Sequence, residues 1–317
     1  MKKLFKLVFL FLHRVFNKFL YWGIRVKWRL VVNDLNLKNN PKYESLGVFP
    51  TMPSKPPFNY KRKIKALSID SDNLPTKKYK GKDGTFKSAR NPVTICQFGL
   101  SEYGFYLSKK DPKHLKNMEI VANWLLLNQD SFGCWREEFD YFCGNVSVWL
   151  DKNWICGMAQ GEAIAFLCRY HSITKENKFL ECAINALQPF NRSIDDNGIL
   201  SSFNGADIYE EYPTKPDVHV LNGFIYSLFG LYDLWKLHGN NEAERLFENG
   251  LISLKQILPY YDGGSWSFYD LGHITAPLRA PNMNYKYHIL HIKLLESLYS
   301  ITEEETFLFY AKKWEQR

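Results

Sequence analysis

The stretch VHVLNGFIYSLFGLYDLWKL, residues 218–237, decides the fold. It is apolar on nearly every side at a helical period, and a helix that is apolar all round lies in the interior of a protein. An acidic, proline-stiffened segment, YEEYPTKP at residues 209–216, comes directly before it. We therefore predict a buried helix over 218–237 that begins at a charged rim.

A repeat extends outward from this helix along the chain. The segments QDSFGCW, DDNGILS and YDGGSWS each place an aspartate and a glycine after a helical pattern, and Asp130, Asp196 and Asp262 are 66 residues apart each time. Each unit contains two segments with a helical period. The predicted helix pairs are 92–109 with 113–128, 156–172 with 176–190, 218–238 with 242–258, and 285–300 with 303–315.

Antiparallel helix pairs repeated in this way can close into a ring with one helix of each pair inside. The sequence thus predicts a mainly α protein, an α/α toroid in the form of an incomplete barrel of about four helix pairs. Residues 218–237 would be an inner helix, and short β-hairpins at the Asp-Gly turns would lie at one mouth. An open solenoid of helix pairs is the alternative.

The first 30 residues differ from the rest of the chain. They hold eight basic residues and no acid, which leaves 33 basic and 33 acidic residues in the remainder of a chain of net charge +8. At a helical period the basic and apolar side chains take opposite sides, but the longest apolar run, Leu7–Leu12, is too short to span a bilayer. We interpret residues 1–30 as an amphipathic helix in the membrane surface; a helix docked on the body or on a partner protein is the alternative.

The chain then divides into three parts. Residues 1–30 form the membrane-surface helix, residues 31–90 a connector with a short β-hairpin, and residues 91–317 the α/α barrel. The neutral body argues against a nucleic-acid partner. Six cysteines without a CxxC pair are typical of small core residues in a reducing compartment, so we expect a cytoplasmic protein, peripheral on the inner membrane. The oligomeric state, a homodimer included, stays open.

Polar side chains gather in three places that suit a site. His219, Asn222 and Tyr226 are spaced by three and four, so we predict that they share one face of the buried helix, next to the acidic rim. Two further clusters are SWSFYDLGH at 265–273 and NYKYHILHI at 284–292. The candidates in these clusters are Tyr269, His273, Tyr285, Tyr287, His288 and His291. His288 and His291 have a spacing that suits metal binding, but no third ligand follows a metal pattern, so we predict no metal site.

Four of these segments resemble a known family. YEEYPTKPDVHVLNGFIYSLFGLYDL, WICGMAQGEAIAFLCRY, SFYDLGH and YKYHILHI are similar, in order, to the C-terminal domain of the D-glucuronyl C5-epimerases, over roughly residues 123–314. These isomerases convert D-glucuronate to L-iduronate within heparosan-type, heparan sulfate-like polysaccharides. The resemblance implies the same α/α barrel, which agrees with the repeat. It also implies a polysaccharide or lipid-linked oligosaccharide partner, and we expect a short bacterial member active in polysaccharide biosynthesis.

The resemblance also assigns site residues. It implies that Tyr212, Tyr269, Tyr287 and Glu211 are catalytic and that Gln160, Asn222 and Tyr226 contact the substrate. Our hypothesis is that Tyr212 and Tyr287 exchange the C5 proton from opposite faces of the sugar, while Tyr269 and Asn222 donate to its carboxylate. We add Arg279, Tyr285 and His288 as candidate substrate-binding residues.

This chain departs from the family pattern in two respects. Gly272 stands where the family has an arginine after YDL, and Arg279 is a candidate substitute. Animal members carry N-terminal β-rich domains that bind calcium, which residues 1–90 are too short to supply, so we expect no cofactor. Two alternatives remain, a polysaccharide lyase and a non-catalytic glycan-binding relative. A glycoside hydrolase is disfavoured, because adjacent Glu210 and Glu211 would point apart on an extended backbone.

Overall fold

Four helix pairs make up most of the part of the chain described by the computed structural model, which comprises residues 68–144, 146–264, 266–276 and 279–315. The predicted helix over 1–30 and most of the connector lie outside these residues. In chain order the paired helices are α1 Pro92–Lys109, α2 Pro112–Asn128, α3 Gly157–Thr174, α4 Asn177–Asn185, α5 Leu221–His238 and α6 Asn241–Ile257; after the one-turn α7 Gly272–Thr275 come α8 Tyr285–Thr302 and α9 Glu305–Glu315.

The first helix of each pair is an inner helix. In sequence, α1 packs on α3, α3 on α5, and α5 on α8, while α2, α4, α6 and α9 each pack on the outside of their own partner. The core is apolar over the whole inner set, and α5 is buried along nearly all its length, as its sequence predicts. This arrangement confirms the α/α prediction.

All four inner helices end in the same way. The residue after each of them, Lys110, Lys175, Gly239 and Glu303, has a left-handed backbone with φ between 55° and 65° and donates its N–H to the carbonyl four residues before it. In each pair the outer helix begins two residues after this position. The repeat is therefore built from one recurrent inner-to-outer turn.

The backbones of α3 and α5 approach each other closely. A Cβ placed on Gly230 would lie 2.1 Å from the carbonyl oxygen of Gly161, so neither position has room for a side chain. Farther along the same pair of helices, Arg169 forms a buried ion pair with Asp233. Small residues and one ion pair thus fix the crossing of the two central helices.

Nine short strands complete the described structure. A three-stranded antiparallel sheet, β1 Ser68–Ile69, β2 Pro75–Lys80 and β3 Phe86–Arg90, precedes α1. The other strands form antiparallel pairs: β4 Arg136–Glu137 with β7 Trp154–Ile155, β5 Tyr141–Cys143 with β6 Val148–Leu150, and β8 Leu200–Phe203 with β9 Ala206–Tyr209. These pairs lead into the N-termini of α3 and α5. They lie at the mouth where the inner helices begin.

Two predicted boundaries are wrong. The helix predicted over 176–190 ends at Asn185 and is followed by a 3-10 helix, Gln188–Asn191, because Pro189 cannot supply a helical N–H donor. The helix predicted from 218 begins at Leu221, and His219 before it has a left-handed backbone with φ 52°. His219 therefore does not share a helical face with Asn222.

Candidate active site

The segment between β9 and α5, residues 210–220, is the acidic rim seen in the sequence. The Glu210 carboxylate accepts the backbone N–H of His219 at 3.2 Å and hydrogen bonds to the Nδ1 of the same histidine and to the Ser201 hydroxyl at 2.5 Å each. Glu210 is buried and is not among the lining residues of the pocket described below. Its role in this structure is to lock the turn that presents Glu211 and Tyr212.

Glu211 is packed against the first turn of α5. Its side chain is 7% exposed, and its Oε2 accepts the Asn222 amide at 3.2 Å. A Cβ on Gly223 would lie 2.5 Å from the same carboxylate oxygen, so the glycine makes room for the acid. Burial raises the pKa of Glu211 to about 7, although hydrogen bonds from Tyr212 and Asn222 oppose the rise. This carboxyl can gain or lose a proton near neutral pH.

Four tyrosines meet beside it around one pocket of about 200 Å³. Tyr212 stacks on Tyr141 with ring centroids 5.1 Å apart and planes 10° apart. Tyr269 and Tyr287 form a second pair with centroids 4.4 Å apart. The remaining lining residues are Cys143, Gly144, Asn282 and Asn284.

Each tyrosine is held by a different element. Tyr141 belongs to β5, Tyr212 to the rim, and Tyr287 to the first turn of α8, whose N-cap is Asn284. Tyr269 lies in the loop before α7, and its backbone is fixed at both ends: its N–H donates to the Asn282 carbonyl at 2.8 Å, and its carbonyl accepts the Leu221 N–H at 3.1 Å. The toroid therefore gathers residues from four separate parts of the chain at one mouth.

The phenols of the pocket hold their protons at neutral pH. Burial raises the pKa of Tyr287 to about 12, and burial beside Glu211 raises the pKa values of Tyr212 and Tyr269 well above the usual range. Burial likewise raises the pKa of Tyr141. In the resting site these tyrosines are acids, and Glu211 is the neighbouring group able to accept a proton.

Three residues expected to contact substrate are not among the lining residues of the pocket. Gln160 is fully buried, and its amide donates to the Gly133 carbonyl and accepts the Trp135 N–H. Asn222 is 2% exposed and donates to Glu211 instead of facing the cavity. Tyr226 is buried and packs edge-on against Phe229. Their roles toward a substrate stay predictions.

The other three candidates also lie outside the lining. Arg279 donates from Nη1 to the carbonyl of Gly144 at 3.0 Å, so it holds a lining residue of the pocket in place. Tyr285 packs edge-on against Trp266, and His288 lies buried beside Ser267. Burial lowers the pKa of His288 to about 4, which makes this ring neutral and unable to supply a positive charge.

Sequence reasoning missed Tyr141, Asn282 and Glu137. Tyr141 and Asn282 lie on a hairpin and a loop, where no helical spacing marks a shared face. Glu137 on β4 pairs in register with Trp154, is fully buried, and has no hydrogen-bond partner for either carboxyl oxygen among the described residues. Burial, and then the neighbouring charge of Glu211, raises its pKa well above the usual range. The available signal was the segment WREEFDYF, residues 135–142, in which acidic residues alternate with aromatic ones directly after an Asp-Gly turn.

The described part of the chain holds no group of three His, Cys, Asp or Glu residues placed to bind a metal ion. Calcium, which the resemblance associates with longer members, finds no such group of side chains in these ranges. All six cysteines are free and buried. Within the described ranges no helix combines the length and apolarity needed to cross a membrane.

Comparison with known proteins places this chain in a family. The sequence model of the D-glucuronyl C5-epimerase C-terminus matches residues 129–316. The D-glucuronyl C5-epimerase of Caenorhabditis elegans is 35% identical over 221 residues, which are 66% of this chain and 36% of that protein. An uncharacterized protein of Methanocaldococcus jannaschii is 28% identical over 294 residues, 84% of this chain and 90% of its own length.

A solved structure shares the fold. Cellobiose 2-epimerase from Bacillus thermoamylovorans aligns with a TM-score of 0.51 at 9% identity, over 72% of this chain and 59% of that one. This likeness concerns the fold alone. The matched region spans about a third of the length of the nematode relative, whereas the family model covers more than half of this chain. The chain belongs to the D-glucuronyl C5-epimerase C-terminal family.

Proposed function

We propose that the protein is a carbohydrate epimerase that inverts C5 of D-glucuronate within a polysaccharide or a lipid-linked glycan. The observation that supports this most is the convergence of Tyr212, Tyr269 and Tyr287 on one pocket, with the titratable Glu211 directly behind Tyr212. These are the residues that match the motifs of the family. Because they are far apart along the sequence, chance is a poor explanation for their meeting at one pocket.

The chemistry requires groups on both faces of one carbon. Removing the proton from C5, beside the sugar carboxylate, leaves negative charge that must flow into that carboxylate and be stabilised there. One group must accept the proton, and another must return a proton to the opposite face. Two pairs of tyrosines around a single pocket offer acids on more than one side of a bound ring.

Tyr212 and Glu211 form the accepting side of the proposed mechanism. A neutral phenol cannot accept a proton without losing its own, and Glu211, with a pKa of about 7, can take that proton. The C5 proton moves to the Tyr212 oxygen as the phenolic proton moves to Glu211. Tyr287 then gives its phenolic proton to the opposite face of C5 and recovers one through Tyr269 or solvent, and Glu211 releases its proton.

The developing negative charge would meet neutral donors. Tyr269, Asn282 and Asn284 line the pocket, and none of its described lining residues is a lysine, arginine or histidine. Gly272 is buried and donates its N–H to Asp270, whose other oxygen accepts the Asn282 amide at 3.0 Å. Gly272, at the position of the family arginine, therefore supplies no positive charge. Its N–H instead binds Asp270, which in turn holds the Asn282 side chain at the pocket.

The proposal extends to the location of the reaction. Residues 1–30 are basic and amphipathic in sequence, and we propose that they hold the enzyme at the cytoplasmic face of a membrane, where a lipid-linked glycan would be accessible. Removing residues 1–30 should release the protein from membranes while catalysis persists. Membrane retention of the truncated protein would contradict this part.

Product analysis tests the activity. The full chain is incubated with an unsulfated polymer of glucuronate and N-acetylhexosamine, and iduronate is quantified after depolymerisation. Iduronate should form with wild type and with Tyr260→Phe, a control at an exposed tyrosine, but not with Tyr212→Phe. An unsaturated, ultraviolet-absorbing product with chain cleavage would identify a lyase instead. Glycan binding without either product would identify a non-catalytic relative.

A further inference from the structure

The hairpin formed by β2 and β3, residues 75–90, is strongly basic, and we call it the lysine hairpin. It contains six basic residues and one acidic residue, although the chain beyond residue 30 is neutral as a whole. Three of the six are paired with acids: Lys82 with Asp151, Lys87 with Asp83, and Arg90 with Asp70 and Asp72. The charge of the remaining lysines needs a separate explanation.

The strand register places two of these lysines on the outward face. Lys78 pairs with Ser88 and Lys80 with Phe86, so the four side chains lie on one side of the hairpin. Both lysines are exposed, and Phe86 is 67% exposed. No ion pair joins Lys78 or Lys80 to an acid within the described ranges. The face thus presents two lysines, spaced about 7 Å apart along the strand and without an acidic partner in these ranges, beside an open aromatic ring.

The opposite face of the hairpin connects it to the pocket. Tyr79 stacks on Phe139 with ring centroids 3.6 Å apart, and Phe139 meets the edge of Trp154 at 5.9 Å. Trp154 in turn contacts Tyr212 at 5.8 Å. The ion pair between Lys82 and Asp151 fixes the hairpin turn to the connection between β6 and β7. Three ring contacts therefore separate the lysine hairpin from a pocket tyrosine.

The pocket itself supplies no countercharge for a longer ligand. Its volume of about 200 Å³ suits about one sugar ring, and its described lining is uncharged. An anionic glycan carries a carboxylate on each uronate, so the sugars beyond the pocket bring negative charges that need positive partners. Lysines attract such charges at exposed sites, and the attraction weakens as salt screens it.

We propose that the outward face of the lysine hairpin, formed by Lys78, Lys80 and Phe86, is a second binding site for an anionic glycan chain that extends from the pocket. The two ammonium groups pair with carboxylates of neighbouring sugars, and the Phe86 ring packs on the apolar face of a sugar. The inference rests on the proposed function, because it takes the pocket to hold one uronate of the same chain. An anionic lipid surface would attract the same lysines, but it would not explain why the lysine hairpin packs against residues that contact the pocket.

The test compares two double variants of the full chain. Lys78→Ser/Lys80→Ser removes the charges of the proposed site, and Lys116→Ser/Lys312→Ser removes two exposed lysines from α2 and α9. Binding of an unsulfated glucuronate polymer is measured in 50 mM and 500 mM salt, with dextran as the neutral probe. Two exposed charge contacts correspond to a roughly tenfold weaker Kd at low salt, and the difference should largely vanish at high salt. The control variant should bind as wild type does.

Three outcomes decide between the explanations. An unchanged Kd in the hairpin variant, or equal losses in both variants, overturns the proposal. A hairpin variant that binds the polymer normally but loses affinity for vesicles of anionic phospholipid assigns the face to a membrane and also overturns it. C5 proton exchange on a short oligosaccharide should be unchanged in the hairpin variant. If wild type shows no exchange but the hairpin variant still loses polymer affinity, the proposed function fails and the binding site stands.

Discussion

Replacing Glu211 with glutamine should change the way stability depends on pH. The carboxyl is 7% exposed, and burial raises its pKa from the ordinary 4.5 to about 7. The folded state therefore holds this proton more tightly than the unfolded chain does. The stabilisation is complete below pH 4.5 and is lost as the pH rises toward 7, where the folded protein must also ionise a buried group.

The size of the effect follows from the shift. A difference of about 2.5 pH units between the two states corresponds to roughly 3 kcal/mol in total, of which about 2.5 kcal/mol falls between pH 5 and pH 8. Glu211→Gln keeps the shape and removes the titration. The free energy of unfolding of Glu211→Gln minus that of wild type should thus rise by about 2.5 kcal/mol from pH 5 to pH 8.

Urea unfolding at pH 5, 6, 7 and 8 measures this difference. Asp233, a buried acid whose pKa is set by burial and by Arg169, titrates in both proteins, so its contribution cancels in the comparison. Glu248→Gln, a change at an exposed carboxyl on α6, is the matched control and should show a flat difference across the range. A flat or falling difference for Glu211→Gln would refute the reasoning that this carboxyl is protonated near neutral pH.

Three further changes probe the scaffold and the pocket. Arg169→Met should lower the free energy of unfolding, measured in urea, by about 3–5 kcal/mol because Asp233 is left buried without its partner. The double variant Arg169→Met/Asp233→Leu should recover most of this loss. A small loss in Arg169→Met would count against a stabilising role of the ion pair. Gly230→Ala should lower the free energy of unfolding by about 3 kcal/mol or more, since its Cβ would lie 2.1 Å from the Gly161 carbonyl oxygen. An unchanged melting temperature would contradict the close packing of α3 on α5. Tyr141→Phe keeps the ring stack, so C5 exchange should fall by about tenfold or less in steady-state kinetics; complete loss would make this phenol a proton donor or acceptor.

The helical part of the fold follows from local pattern. α5 is apolar on all sides and lies in the inner ring, and the Asp-Gly repeat marks the breaks between the pairs. Where the prediction failed, a single backbone feature was decisive: Pro189 ends the regular helix early, and the left-handed His219 delays the start of α5. Such features depend on a few backbone dihedral angles, and the spacing of apolar residues along the sequence does not reveal them.

The site was predictable only in part, for a physical reason. The motifs identify Tyr212, Tyr269 and Tyr287, which line the pocket, but they do not distinguish lining residues from buried ones such as Gln160 and Asn222. That distinction depends on which way each side chain points in the packed structure. The membrane helix over 1–30 and the domain boundaries stay predictions, because the first lies outside the described residues.

Proton exchange at C5 tests the central claim most directly. The full chain is incubated in heavy water with an unsulfated glucuronate polymer, and the C5 proton signal is followed by NMR. Wild type should replace the C5 proton with deuterium while the chain stays uncut, and Tyr287→Phe should slow the exchange by about 100-fold or more with an unchanged melting temperature. Absence of exchange in wild type, or near-normal exchange in folded Tyr287→Phe, would contradict the account.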